Sequence, residues 1–322
     1  MPFARIAGQI VDARGVPSSD FYVILAPLRD DGAQVESLNL TSEVDAAGTF
    51  SIAKVPPGNY NVEVVSKARM EAIGNSGRPA VGVGSTDESG SARVMVDGVD
   101  ITDVFIRTQP PSTLSGKILL DGKPVSADLA ARLVVRTSQS AGPGGMSSVI
   151  NASFGSADAD GLFRMSAIRG GRLIRVSGLP AGIALERVLV RGADVTDAGF
   201  DVTSSDTSDV VIELTATPSI VSGRVTDDHG AAIGGAGVVA FSTDPSRWRL
   251  VLTRVVVAAR ARADGSFSFL GLPAGSYYIA AMPQLVDGEW AEPANFEQLR
   301  ATAQMFKLGD GERKEISLIF KK

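Results

Sequence analysis

The chain has 322 residues, of which 44% are hydrophobic and 21% charged; its formal net charge is −5 and it has no cysteine. Structural disulfides and thiolate metal sites are therefore excluded, and no stretch approaches the ~18 apolar residues of a membrane-spanning helix. Divided at 109 and 217, the thirds carry 9, 10 and 12 basic against 14, 11 and 11 acidic residues. None has the basic excess that binding to a phosphate backbone demands, so nucleic acid is not an expected partner.

In chain order, residues 4–11 alternate apolar and polar and stop at a Gly-containing turn, the pattern of a half-buried strand. No charged segment followed by an apolar run precedes them, so no signal peptide is read. Residues 21–25 form a continuous apolar strand. Residues 49–52 and 60–64 flank Pro56-Pro57-Gly58, where proline presets φ and glycine accepts a positive φ. The Gly- and Ser-rich residues 74–91 read as a mobile loop, and Pro110-Pro111 stiffens a short linker. In the second third, Asp121-Gly122 follows a first strand, residues 138–148 read as another mobile loop, and residues 209–214 form the last strand. After a linker at 215–218 come strands at 238–241, 254–259, 266–269, 277–280 and 315–320. Residues 287–300 have early acids, Pro293 and the apolar pair Phe296 and Leu299; they read as a short helix, the only one expected.

One phrase recurs about every 107 residues. It opens at Gly8, Gly116 and Gly223, each followed by apolar residues and a tight turn. It continues through Gly48-Thr49-Phe50, Gly161-Leu162-Phe163 and Gly265-Ser266-Phe267. In two copies it closes on a Pro-x-Gly-x-Tyr turn, Pro56 to Tyr60 and Pro273 to Tyr277; Ile168 to Leu173 of the middle copy lacks both Pro and Tyr. A repeat of this length is a whole domain, not a solenoid unit. Six or seven short strands per copy give an all-β chain of three Ig-like β-sandwiches, at 1–109, 110–217 and 218–322, with the short helix in the third.

The order Gly-x-Val-x-Asp-x-x-Gly, Asp-Gly-x-Phe, Leu-Pro-x-Gly-x-Tyr resembles the carboxypeptidase regulatory-like domain, whose fold is a transthyretin-like sandwich of a wider carbohydrate-binding-like group. Residues 223–230, Asp264 to Phe267 and Leu272 to Tyr277 match best. The phrases Asp100-Ile101-Thr102-Asp103 and Asp194-Val195-Thr196-Asp197, each before a last strand, are similar to those of tandem modules in secreted or cell-envelope bacterial proteins. The resemblance implies a non-catalytic module for adhesion, assembly or glycan contact, located extracellularly, in the periplasm or at the cell surface. Related adhesin modules carry a Lys–Asn crosslink; Lys117 lies on a first strand, but residues 209–214 offer no Asn.

The sequence points to no catalytic residue, metal or cofactor. His229 is the only histidine and sits in a turn, with no nucleophile and orienting partner to form a triad. Acidic turns such as Asp227-Asp228 and Asp264 lack the ligand density calcium wants, and aspartate favours turns on its own account. Arg164, Arg169, Arg172 and Arg175 read as a solvated sheet face. The binding candidates are aromatic: Trp248, Trp290 and Tyr278, all in the third repeat, with Trp248 and Trp290 in insertions. Two readings stay open for them, ligand-stacking platforms or anchors pinning the short helix. The expected partners are accordingly other protein chains, through exposed strand edges such as the strand that follows Pro2, or glycans.

Overall fold

A computed structural model describes residues 2–28, 40–76, 87–139, 152–167, 169–248, 254–285 and 293–320. It is all-β, and its strands group in chain order into three pairs of sheets.

The first pair uses β1 (Ala4–Val11), β2 (Phe21–Leu28), β3 (Leu40–Glu43), β4 (Thr49–Val55), β5 (Gly58–Ser66), β6 (Ser89–Val96) and β7 (Ile101–Arg107). One sheet runs β4-β1-β7 and the other β3-β2-β5-β6. Strand β1 is antiparallel to β4 and parallel to β7. It is thus a central strand, and the expectation that the strand after Pro2 offers a free edge is corrected: both of its flanks are taken within the chain. Alternation delivers Ile6, Ile10, Phe50, Ile52, Tyr60, Val62, Val64, Val104 and Ile106 to one buried core.

The second group uses β8 (Ser112–Leu120), β9 (Lys123–Pro124), β10 (Val134–Gln139), β11 (Ser153–Ser156), β12 (Leu162–Ala167), β13 (Gly170–Ser177), β14 (Ala184–Val190), β15 (Ala193–Asp194), β16 (Phe200–Val202) and β17 (Thr207–Thr215). Its sheets run β11-β10-β13-β16 and β12-β8-β17-β14-β15. The third uses β18 (Ile220–Thr226), β19 (Gly237–Ser242), β20 (Val256–Arg260), β21 (Ser266–Leu270), β22 (Gly275–Met282), β23 (Gln304–Leu308) and β24 (Arg313–Ile319). Its orders, β21-β18-β24 and β20-β19-β22-β23, reproduce those of the first. The middle copy departs from this plan by adding β14 and β15 beyond its last strand.

The opening glycines are dictated by close backbone approach. A Cβ on Gly8, Gly116 or Gly223 would lie 1.9, 1.9 and 1.8 Å from the carbonyl oxygens of Val104, Val210 and Ile316 on the last strand of each sandwich. No side chain fits there. The turn aspartates have a local cause. Asp12 Oδ1 accepts from the N–H groups of Arg14 and Val16, Asp45 Oδ1 from Ala47 and Thr49, Asp158 Oδ1 from Asp160 and Leu162, and Asp227 Oδ1 from His229 and Ala231. Each closes its own turn.

Three α-helices are present among the described residues: α1 (Lys67–Ser76), α2 (Ala127–Ala130) and α3 (Pro293–Arg300). The third lies within the span expected to be helical. The other two correct the expectation of a single helix. Ser66, the last residue of β5, caps α1 by accepting from the N–H of Arg69 at 3.1 Å, so the cap hides inside a strand pattern. Gly74–Ser76 are helical and Ser89–Ser91 belong to β6, which leaves only the middle of the first expected loop, 77–86, outside the described residues. The second expected loop lies outside them from residue 140 onward.

The chain divides into two compact units. One comprises Met1–Ile118, Pro124–Gly178 and Val188–Val211, and the other Leu119–Lys123, Leu179–Arg187 and Ile212–Lys322. The first unit contains the whole first sandwich and most of the second; the second unit contains the third.

Candidate functional site

The charged side chains buried deepest among the described residues gather in the first unit. Glu63 on β5, Arg69 on α1 and Arg172 on β13 are only 3%, 7% and 3% exposed. Arg69 Nη1 lies 3.5 Å from Asp87 Oδ2, and Ser66 Oγ donates to Asp87 Oδ1 at 2.8 Å. Asn61 Nδ2 donates to Glu63 Oε1 at 2.9 Å. The other arm of Arg69 donates from Nη2 to the carbonyl of Ala152, next to β11 of the second sandwich. Arg169 Nη1 donates to Gln109 Oε1 of the linker at 2.7 Å. Two consecutive sandwiches are thus tied by a polar seam inside one unit.

Arg172 explains the missing motif residues of the middle repeat. Strands β5, β13 and β22 begin at Gly58, Gly170 and Gly275, so Arg172 stands where the other copies have Tyr60 and Tyr277. Those tyrosines donate their hydroxyls to Pro56 O and Pro273 O at 2.8 and 2.7 Å. Arg172 makes the corresponding reach with Nη2, to Arg169 O at 2.7 Å. A buried cation costs several kcal/mol unless it is paired. Burial and the nearby Arg69 charge press the pKa of Arg172 down to about 10, and Glu63 opposes them. Burial likewise lowers that of Arg69, against which Asp87 works. At neutral pH both guanidinium groups keep their charge.

The seam was not expected from the sequence. The expectation of a solvated face is corrected for Arg172 and Arg175: Arg172 is buried, and Arg175 donates to Thr196 O at 2.6 Å and lies 3.4 Å from Asp197. The available signal was the alignment of the repeats, which puts an arginine where the other copies bury a tyrosine.

Two of the aromatic candidates, Trp248 and Tyr278, lie in the second unit. Trp248 is 5% exposed. Its indole N–H donates to Ser242 O at 2.6 Å, and its ring meets Phe241 and Phe296 edge-on at 5.6 Å each. Phe296 of α3 stacks on Phe241 at 5.1 Å, so β19 is buried along its whole length. Trp248 therefore serves the anchor reading. Tyr278 is half-buried beside Phe241, with the Arg300 guanidinium 5.8 Å from its ring centre. Trp290 lies outside the described residues. His229 is 86% exposed, 3.6 Å from Asp228. Lys117 is exposed on β8. Among the described residues no three potential metal ligands converge, and no helix is long and apolar enough to cross a membrane.

What fold and seam define is a tandem array of two-sheet β-sandwiches whose most deeply buried charges join modules. No family model matches the chain, and no curated protein matches it in sequence. Among solved structures it is similar to a streptococcal ancillary pilin, at 14% identity over 99% of both chains with a TM-score of 0.25. It is also similar to BcpA, the major pilin subunit of Bacillus cereus, at 12% identity over 98% of both chains with a TM-score of 0.24. A third likeness is to the Bacillus anthracis TIE protein, at 10% identity and a TM-score of 0.22, where the chain spans about half that protein's length. The β-sandwich fold is defined by this chain's own strand orders.

Proposed function

We propose that this chain is a non-enzymatic structural and adhesive module array of a bacterial extracellular or cell-envelope protein. Its modules are 1–109, 110–217 and 218–322, and it acts through contacts with other protein chains. The observation that carries the reading is the seam: Arg69 bridges Asp87 in one sandwich and Ala152 O in the next, and Arg172 lies within the field of Glu63. A buried guanidinium that loses an acceptor is costly, and Arg69 has one acceptor in each sandwich, Asp87 and the Ala152 carbonyl, which suits a stiff spacer. The sequence phrases shared with tandem envelope modules support the location.

Two measurements test the reading. A membrane-impermeant amine reagent applied to intact producing cells labels the chain; labelling only after lysis overturns the location. Native-state hydrogen exchange gives β5 and β13 a common opening free energy in the wild type, and Arg69→Ala separates them. Independent opening in the wild type removes the spacer role.

A further inference from the structure

We infer that strand β7 is a docking edge for a second copy of this chain, which adds its own β7 antiparallel across a two-fold axis at Phe105. The inference rests on the reading of the chain as an assembling structural protein and names the surface used.

Strand β7 ends its sheet, β4-β1-β7, and among the described residues its outer side is unpaired from Asp103 to Arg107; just past the strand, Gln109 exchanges backbone hydrogen bonds with Ser89, which sets the end of the open edge. The Val104 carbonyl lies against Gly8, and Thr108 N–H donates to Val11 O at 2.9 Å. Even-numbered residues therefore turn their backbone groups toward β1, and Asp103, Phe105 and Arg107 turn theirs outward, because successive residues of a strand point to opposite sides. The one slip in the β1–β7 register falls between Ile101 and Val104 and takes in Asp103, whose outward direction is that of its counterpart in the middle sandwich, Asp209, which accepts from Arg191 N–H on the outer side. All three side chains are exposed, Phe105 by 60%.

The middle sandwich shows what this edge accepts. Gly116 and Val210 correspond there to Gly8 and Val104, so Asp209, Val211 and Glu213 correspond to Asp103, Phe105 and Arg107. That edge is filled by β14. Arg191 N–H donates to Asp209 O at 3.0 Å, and Arg187 forms an ion pair with Glu213. The residue numbers of the two contacts have the same sum, the mark of an antiparallel pair, and Leu189 then falls opposite Val211. The first sandwich presents the same edge without the added strand.

A second copy supplies the match. With Phe105 opposite its symmetry mate, Asp103 faces Arg107 of the other chain twice over. Opposite charges directly across a pair of strands are favourable, and like charges are not. About six backbone hydrogen bonds form along the three outward residues of each strand. Arg107 already donates to the Ala13 carbonyl, at 3.1 Å from Nε, a contact that leaves its charge unneutralised.

Sedimentation velocity on the full chain tests this, with circular dichroism melting as the folding control. The wild type dimerises. Asp103→Arg and Arg107→Asp each weaken the dimer on the order of tenfold by setting like charges face to face, and the double reversal restores it. Because the chain lacks cysteine, Phe105→Cys gives a covalent dimer on oxidation; opposed Cα atoms about 5.5 Å apart suit a disulfide, and Ser51→Cys on β4 does not crosslink. A wild type that stays monomeric at several hundred micromolar overturns the inference while leaving the spacer reading intact. So does a double reversal no better than the single ones, or a Ser51→Cys variant that crosslinks as fast as Phe105→Cys.

Discussion

Replacing Gly223 by alanine is the sharpest test of why the repeat opens on glycine. The added Cβ would lie 1.8 Å from the Ile316 carbonyl oxygen and 3.0 Å from Cζ of Phe267. A tolerable carbon–oxygen contact needs roughly 3 Å or more, so β24 must retreat by over about 1 Å near the middle of its seven-pair parallel ladder with β18. Overpacking of this kind costs about 1–3 kcal/mol, and two weakened ladder hydrogen bonds add about 1 kcal/mol each. The sum, about 3–5 kcal/mol, is a large part of what one module of this size has. Both tryptophans of the chain, Trp248 and Trp290, lie in the third module, so indole fluorescence during urea unfolding reports that module. With a slope of about 1–1.5 kcal/mol per molar for a module of this length, the Gly223→Ala midpoint falls by about 2 M or more. Gly8→Ala leaves the fluorescence midpoint in place. A Gly223→Ala loss below about 0.5 kcal/mol would refute the close-approach argument.

Tyr277→Phe removes the hydroxyl bond to Pro273 O and destabilises the third module by about 1 kcal/mol, which lowers the same midpoint by about 0.7–1 M. Trp248→Ala destabilises the third module by about 3–5 kcal/mol through lost packing, whereas Trp248→Phe gives the same glycan-array signal as the wild type. Arg69→Ala deprives half-buried Asp87 of its cation and the Ala152 carbonyl of its donor and costs about 1–3 kcal/mol, read as lost hydrogen-exchange protection in β5 and α1. The Asp264 carboxyl is held below its ordinary value of 3.8 by the hydrogen bonds of Ser266, side chain first, with Arg224 assisting. A depressed carboxyl contributes stability above its unfolded-state pKa and loses it as pH falls through the folded value. The third-module midpoint therefore drops on acidification below about pH 4, and Asp264→Asn flattens that drop.

The repeat was legible because each of its marked positions admits one residue type in every copy that keeps the contact. Glycine is required where two strands nearly touch, aspartate where a turn needs an acceptor, and tyrosine where a turn carbonyl needs a donor. Paired strands follow from alternation, and the first and third sandwiches need little more. What escaped the sequence depends on tertiary neighbours. The start of α1 is hidden because Ser66 closes a strand while capping a helix. Trp248 lies in an insertion, and nothing local reveals that the stacked rings of Phe241 and Phe296 meet it edge-on. Arg172 reads as one of several surface arginines until the repeats are superimposed on its tyrosine position. The added strands β14 and β15 fill an edge that the motif itself leaves open, so the motif does not announce them.

The seam between the first two sandwiches is tested most directly by the distance between two spin labels across it. A cysteine-free chain allows labels at Ser51→Cys on β4 and Arg164→Cys on β12, both exposed, measured by pulsed electron paramagnetic resonance. A stiff pair gives one narrow distance distribution that broadens when Arg69 is replaced by alanine. A distribution already broad with Arg69 in place would show that the two sandwiches move freely and that the buried charges do not join them.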